Sequence, residues 1–193
     1  MRISRGEFLP GVRSLTGMRP RLSHLGIFAR NVLALERFYT SVFDLVVTDR
    51  GVGKVFKNEL VFLSGSPDQH HQLVLSGGRA ADTPSTVMQI SFMVDSPYQL
   101  RELRARALKH GAQEFIALNH GNAWSIYFND PEGNRVEVYM DTVFHTPQPC
   151  GEHLNLDQSD EALLKETASL VAARPGGMPR SEYVAKMKTT FGS

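Results

Sequence analysis

The chain contains one unit twice. The run SHLGIFARNVLALERFY from Ser23 aligns with MQISFMVDSPYQLRELR from Met88, and SPDQHHQLVLS from Ser66 aligns with DPEGNRVEVYM from Asp130. His24 then matches Gln89 at an offset of 65, and Leu73 matches Glu137 at an offset of 64. Two distant blocks that repeat at nearly one offset imply a duplicated strand-helix-strands module folding against its own copy. The expected fold class is therefore α+β, with two tandem βαβββ modules spanning residues 21–77 and 87–142 around a shared cleft. Strands at the centre of such a pair would aim His24, Gln89 and Glu137 into that cleft.

Local signals agree with this order. After an apolar strand at Leu22 to Ala29, Asn31 is a good N-cap for VLALERFYTSVF, in which Leu35, Phe38, Tyr39 and Val42 recur at spacings of three and four. LVVTDR, VFKNELVFLSG and HHQLVLS read as three strands, and the Gly- and Pro-rich GGRAADTPST closes the module. The second copy runs VMQISFMV, a cap at Asp95 or Ser96, Pro97, a helix to His110 closed by Gly111, and three further strands. DPEGN, at Asp130 to Asn134, has the composition of a tight turn between the last two. Residues 1–20 lack periodicity and read as an arm, whereas 143–193 carry two amphipathic stretches, Ser159 to Ala173 and Arg180 to Phe191, and read as a helical extension.

Bulk properties narrow the partners. With 41% apolar residues among 193 the chain can bury a core, and 21 basic against 20 acidic residues offer nothing to a polyanion, so no nucleic acid is expected. No run approaches the about 18 apolar residues of a membrane span, and the Gly- and Pro-broken N-terminus lacks a signal core. One cysteine, Cys150, allows no intramolecular disulfide and fits a reducing compartment. The expected location is the cytoplasm, with no membrane partner.

Three polar residues stand out against apolar strands. His24 in its strand requires a partner or a metal, a hydrogen-bonded core histidine being the plainer alternative. Gln89 occupies the matched place in the copy. Glu137 interrupts VEVYM and needs a cation or donors, Arg135 on the same strand face being the plainer candidate. His70 and His71 adjoin an apolar strand, an exposed loop end being the plainer reading of the pair. His120, beside Gly121 and Asn122, could be a turn residue.

HLGIFARNVLALERFYTSVFDL and DPEGNRVEVYMD resemble the vicinal oxygen chelate superfamily of glyoxalase I, bleomycin-resistance proteins and extradiol ring-cleavage dioxygenases, over residues 21–142. The resemblance implies a divalent metal on the cleft floor and places His24, Gln89 and Glu137 at the three ligand positions of extradiol dioxygenases. The usual set there is two histidines and a glutamate, and Gln89 departs from it. The fourth ligand position of glyoxalase I falls at or near Leu73. The same resemblance implies that His71 is an acid/base near the substrate and that His120 contacts it. It sets Phe128, rather than Tyr127, at the place of an active-site tyrosine.

The implied activity is ring cleavage of a small catechol-like or polyphenolic substrate, with Fe(II) as the metal, Mn, Ni or Zn as alternatives, and a homodimer as the assembly. In this scheme the metal lowers the pKa of a diol hydroxyl and His71 takes the proton. Phe92, Trp124 and Phe128 are candidates for an apolar wall, or else for the core. Two other readings stay open: a metal-dependent isomerase or lyase of glyoxalase type, which Gln89 favours, and a metal-free protein that sequesters a ligand, which a strand-interior Glu137 disfavours.

Overall fold

The structure, a computed structural model, describes residues 20–191, so the arm expected at the N-terminus lies, save for its last residue, outside the described residues. The first module comprises β1 (Leu25–Ala29), α1 (Val32–Phe43), β2 (Val46–Val52), β3 (Glu59–Ser64) and β4 (Leu73–Gly77). Its sheet order is β1-β4-β3-β2, with β1 parallel to β4 and the other pairs antiparallel. The second comprises β5 (Ile90–Met93), α2 (Pro97–Lys109), β6 (Gln113–Asn119), β7 (Ala123–Asn129) and β8 (Arg135–Asp141). Its order β6-β7-β8-β5, with β5 parallel to β8, repeats the first topology.

The Asn31 side chain accepts the Ala34 amide at the start of α1, and Leu35, Phe38, Tyr39 and Val42 form the buried face. Ser96 caps α2 in the same way, followed by Pro97 as the sequence implies. The modules pair within the chain. Phe43 stacks on Phe92 at 4.0 Å between ring centroids, and Arg106 of α2 bonds the Ser41 carbonyl in the last turn of α1 and the Asp44 carboxylate just beyond it. In the turn before β8, the Glu132 carboxylate accepts the Arg30 and Asn31 amides, so the second module caps the helix of the first. Nearby, the Tyr39 hydroxyl donates to Asp130 at 3.0 Å.

The register corrects one equivalence. Ser91 pairs with Glu137, and Gly26 pairs with Val74. With His24 matched to Gln89 and Gly26 to Ser91, the residue in the place of Glu137 is Val74, at an offset of 63. Leu73 points the other way and is 3% exposed in the core. A one-residue change between copies would turn a strand over, whereas a two-residue change keeps its face. The position opposite Glu137 is apolar either way.

The extension holds β9 (Phe144–His145), β10 (Glu152–His153), α3 (Asp160–Ala172), β11 (Met178–Pro179) and α4 (Arg180–Phe191). Both helices match their amphipathic stretches, but the extension is no mere appendage. β10 adds a strand to the second sheet alongside β6, and Thr167 of α3 accepts hydrogen bonds from Asn119 Nδ2 and Trp124 Nε1, both at 2.8 Å. Trp124 and Phe128, at 2% and 1% exposure, are core residues and not a cleft wall.

Candidate functional site

Alternation along β8 sends Val136 and Val138 into the core and leaves Glu137 on the opposite face, where it is still 8% exposed. Three neutral donors satisfy its carboxylate: Tyr127 Oη at 2.5 Å, Ser91 Oγ at 2.7 Å and Gln89 Nε2 at 2.8 Å. Arg135 does not pair with it. The carboxylate is thus held among three neutral donors, and a cation joining them would further offset the cost of burying its charge.

His24 and Gln89 each stand one residue before their strands, β1 and β5, the histidine exposed and the glutamine half-buried. Neither sits inside an apolar strand, contrary to the sequence expectation, and of the three only Glu137 is a buried strand residue. Gln89 uses Nε2 for its bonds to Glu137 and Ser91, so its oxygen, the amide atom that ligates cations, is engaged in neither. His24, Gln89 and Ser91 line a cavity of about 670 Å³ along the seam between β1 and β5. Among the described residues no three His, Cys, Asp or Glu groups gather closely enough to hold a metal, so a trio that includes Glu137 depends on the amide of Gln89.

The imidazoles cluster on the first-module side. His71 packs its ring 4.3 Å from that of His24 and 5.1 Å from Phe62, and its Nδ1 lies 2.9 Å from Nδ1 of His70. Burial, reinforced by the charges of His24 and His70, holds His71 below the usual imidazole range. It is therefore neutral, and able to accept a proton, at neutral pH.

On the second-module side, His120 Nδ1 meets the Cys150 carbonyl and His120 Nε2 lies 3.0 Å from Tyr127 Oη. Tyr127 is the residue that sequence reasoning set aside in favour of Phe128. Counting outward from the DPEGN turn would have found it, because Asn129 pairs with Arg135 and Tyr127 consequently with Glu137, on the same face. Ser91 was findable likewise, two residues beyond Gln89. Burial and the bonded carboxylate of Glu137 raise the Tyr127 phenol well above its ordinary value, keeping it a neutral donor. Three contacts run from Cys150 through His120 and Tyr127 to Glu137. A neutral imidazole and a phenol supply only two protons to them, so one more proton can be held in this chain and passed along it. His120, Tyr127, Glu137 and Tyr139 line a second cavity, of about 390 Å³, and the Gln89–Glu137 bond leads from it to the first.

A pair of four-stranded modules with a polar seam between them is a duplicated fold of strand-helix-strands units. A family model described as the glyoxalase/bleomycin resistance protein/dioxygenase superfamily matches residues 21–138, and the chain belongs to that superfamily. It is similar to biphenyl-2,3-diol 1,2-dioxygenase 3 of Rhodococcus globerulus, with 24% identity over 183 residues, 86% of this chain and 88% of the relative. Biphenyl-2,3-diol 1,2-dioxygenase 2 of the same organism is 25% identical over 141 residues, 70% of each chain. Among solved structures, a glyoxylase/bleomycin resistance protein/dioxygenase domain from Frankia sp. EAN1pec superposes with a TM-score of 0.56 at 23% identity, covering 65% of this chain and 94% of its own. The fosfomycin resistance protein FosX of Mesorhizobium loti gives 0.52 at 20% identity, covering 65% and 95%. These structures share the fold. No helix among the described residues is long and apolar enough to cross a membrane.

Proposed function

We propose that the chain is a metal-dependent dioxygenase of extradiol ring-cleavage type, acting on a small catechol-like or polyphenolic substrate, with His24, Gln89 and Glu137 holding Fe(II). The observation that carries this reading is Glu137, a carboxylate 8% exposed with neutral donors around it and a cavity on either side of its bond to Gln89. Similarity to two biphenyl-2,3-diol dioxygenases, one along 86% of the chain, supports the substrate class. The donor set suits the ion: one imidazole nitrogen, one amide oxygen and one carboxylate leave positions free for a bidentate diol and dioxygen. For Gln89 to join, its amide must turn, exchanging the Nε2 bond to Glu137 for ligation through oxygen. When bound, the ion supplies Lewis acidity toward a vicinal diol and, as Fe(II), the means to activate dioxygen.

The remaining work belongs to side chains. His71, neutral and half-buried beside His24, takes the second proton of the diol. Tyr127 and His120 hold a proton opposite, within one hydrogen-bonded chain, for return to the product. Apolar residues of β5, Phe92 and Met93, line the seam cavity where an aromatic ring would lie.

Gln89 in place of an imidazole favours a second reading, an isomerase or lyase that uses a divalent ion only as Lewis acid. One experiment separates the two. Anaerobically purified protein, reconstituted with Fe(II), is given catechol and 2,3-dihydroxybiphenyl in an oxygen electrode. Uptake matched by ring-opened product supports the dioxygenase. Full iron occupancy without uptake on a broad diol panel discards it.

A further inference from the structure

The extension reaches the candidate site through Arg180, which pairs with Asp141, and through the segment that covers His120. Residues 146–151 lie over the β6–β7 turn that carries His120. Gln148 Nε2 donates to the His120 carbonyl at 2.9 Å and to Asn122 Oδ1 at 3.0 Å, while Gln148 Oε1 accepts the Cys150 amide at 2.9 Å. That last bond sets the Cys150 carbonyl against His120 Nδ1. The turn beneath is fixed as well: Thr142 Oγ1 donates to the Gly121 carbonyl at 2.6 Å, and the Gly121 amide donates to Asn119 Oδ1 at 2.9 Å. Gly121 has φ 75°, and a Cβ there would come 2.4 Å from the Thr146 methyl, so only glycine lets the two segments approach this closely.

A carbonyl oxygen only accepts. The His120 nitrogen that meets it must therefore carry the ring proton, and a neutral imidazole then has its lone pair on Nε2. The other tautomer would aim two lone pairs at each other at the Cys150 carbonyl. Nε2 then meets Tyr127 Oη, whose single proton can turn to it from Glu137, a freedom that the Cys150 carbonyl lacks, on the side of the cavity lined by Glu137. We infer that residues 146–151 form a positioning strap, with Gln148 as its positioning residue, which fixes His120 as the Nδ1–H tautomer so that its basic nitrogen faces the cleft. The inference deepens the proposed function and rests on it for the use of His120, while the tautomer itself is a property of the protein without substrate. The extension thereby acquires a role in the site, since its strand edge, helix and six-residue strap together orient one imidazole.

The test is read by nuclear magnetic resonance on the full chain labelled with ¹⁵N-histidine, using long-range proton–nitrogen correlations. The signals of His120 are those missing from His120→Gln. Wild type should show Nδ1 protonated and Nε2 bare. Gln148 is exposed, so its replacement should leave the fold intact. In Gln148→Ala the Nδ1–H form should give way to a mixture, with kcat on a cleaved diol down by about 10-fold and KM unchanged, short of the roughly 100-fold or more expected for loss of the whole acid/base group. Gln148→Glu keeps an acceptor for the Cys150 amide but turns a carboxylate oxygen on the His120 carbonyl, and should lose the Nδ1–H form as Gln148→Ala does. Nε2–H in wild type, or an unaltered tautomer in Gln148→Ala, overturns the strap whatever the activity. The expected tautomers in a protein that cleaves no diol would keep the strap and remove the dioxygenase reading instead.

Discussion

Glu132→Ala should unlock the two modules without touching the cleft. The Glu132 carboxylate accepts the Arg30 amide at 2.8 Å and the Asn31 amide at 2.6 Å, and it lies 3.7 Å from both Arg79 Nη1 and Arg30 Nε. Its side chain and that of Arg79 are each 6% exposed, so that pair is not screened by water, whereas the 36% exposure of Arg30 discounts its share. Truncation leaves a buried guanidinium without its carboxylate and two amides at the start of α1 without an acceptor. Breaking such a buried pair from one side costs about 3 to 5 kcal/mol, and the lost amide bonds overlap with that figure because the same oxygens make both. At about 2 to 4 °C per kcal/mol for a chain of this size, the melting temperature should fall by roughly 6 to 20 °C. Glu132→Gln keeps one acceptor oxygen and should lose about half as much. Scanning calorimetry gives the shift, and metal analysis of the folded variants should find divalent-ion content unchanged. A fall of less than about 2 °C, equivalent to less than about 1 kcal/mol, would refute the claim that this carboxylate joins the modules.

Tyr127→Phe removes one of the three donors to Glu137 and the partner of His120 Nε2, so ring cleavage should slow by about 10- to 100-fold with iron still bound; loss of iron would show the phenol to be part of ion retention instead. His71→Ala should lower the rate by about 100- to 10,000-fold at full iron occupancy, and an unchanged rate removes His71 from the mechanism. Because His71 is held below the usual imidazole range, its contribution to stability is complete above the unfolded value of about 6.5 and is lost as pH falls through the lower folded value. Urea midpoints taken between about pH 7.5 and pH 5.5 should drop further for wild type than for His71→Gln, and equal drops would contradict that sign. Burial raises the Cys150 thiol above its ordinary value, so a disulfide reagent should label it slowly, and faster in Leu163→Ala, which loosens α3 from its seat. Immediate labelling of wild type would mean that the extension is not docked.

The duplication was legible because strand order and helix caps leave marks in sequence: Asn31 and Ser96 open their helices at matched places, and the turn at DPEGN is written in its composition. Register was not legible to one residue. Leu73 and Val74 are both apolar, and nothing in their chemistry tells which faces the core; backbone pairing with β1 decides it. Glu137 announced itself because a carboxylate inside VEVYM is conspicuous. His24 and Gln89 looked like strand residues because hydrophobic runs do not mark where pairing begins, and one residue separates a strand from its approach. Tyr127 was hidden by family alignment to Phe128, although the pleat counted from the turn contained the answer. The grip on His120 had no sequence signature at all, since its decisive partner is the main-chain carbonyl of Cys150, an atom that every residue carries.

The skeleton of this cleft repeats, yet its lining does not. Where the second module presents Glu137, the first presents Val74, and the imidazoles of His24, His70 and His71 crowd the side opposite Tyr127. A diol with two interchangeable hydroxyls would lose that equivalence on entry: one oxygen would face bases, the other a phenol and a carboxylate. On the proposed reading, the order in which such a molecule gave up its protons would be dictated by the divergence of two copies that began alike, and a symmetric ring would be handled as though it had a left and a right.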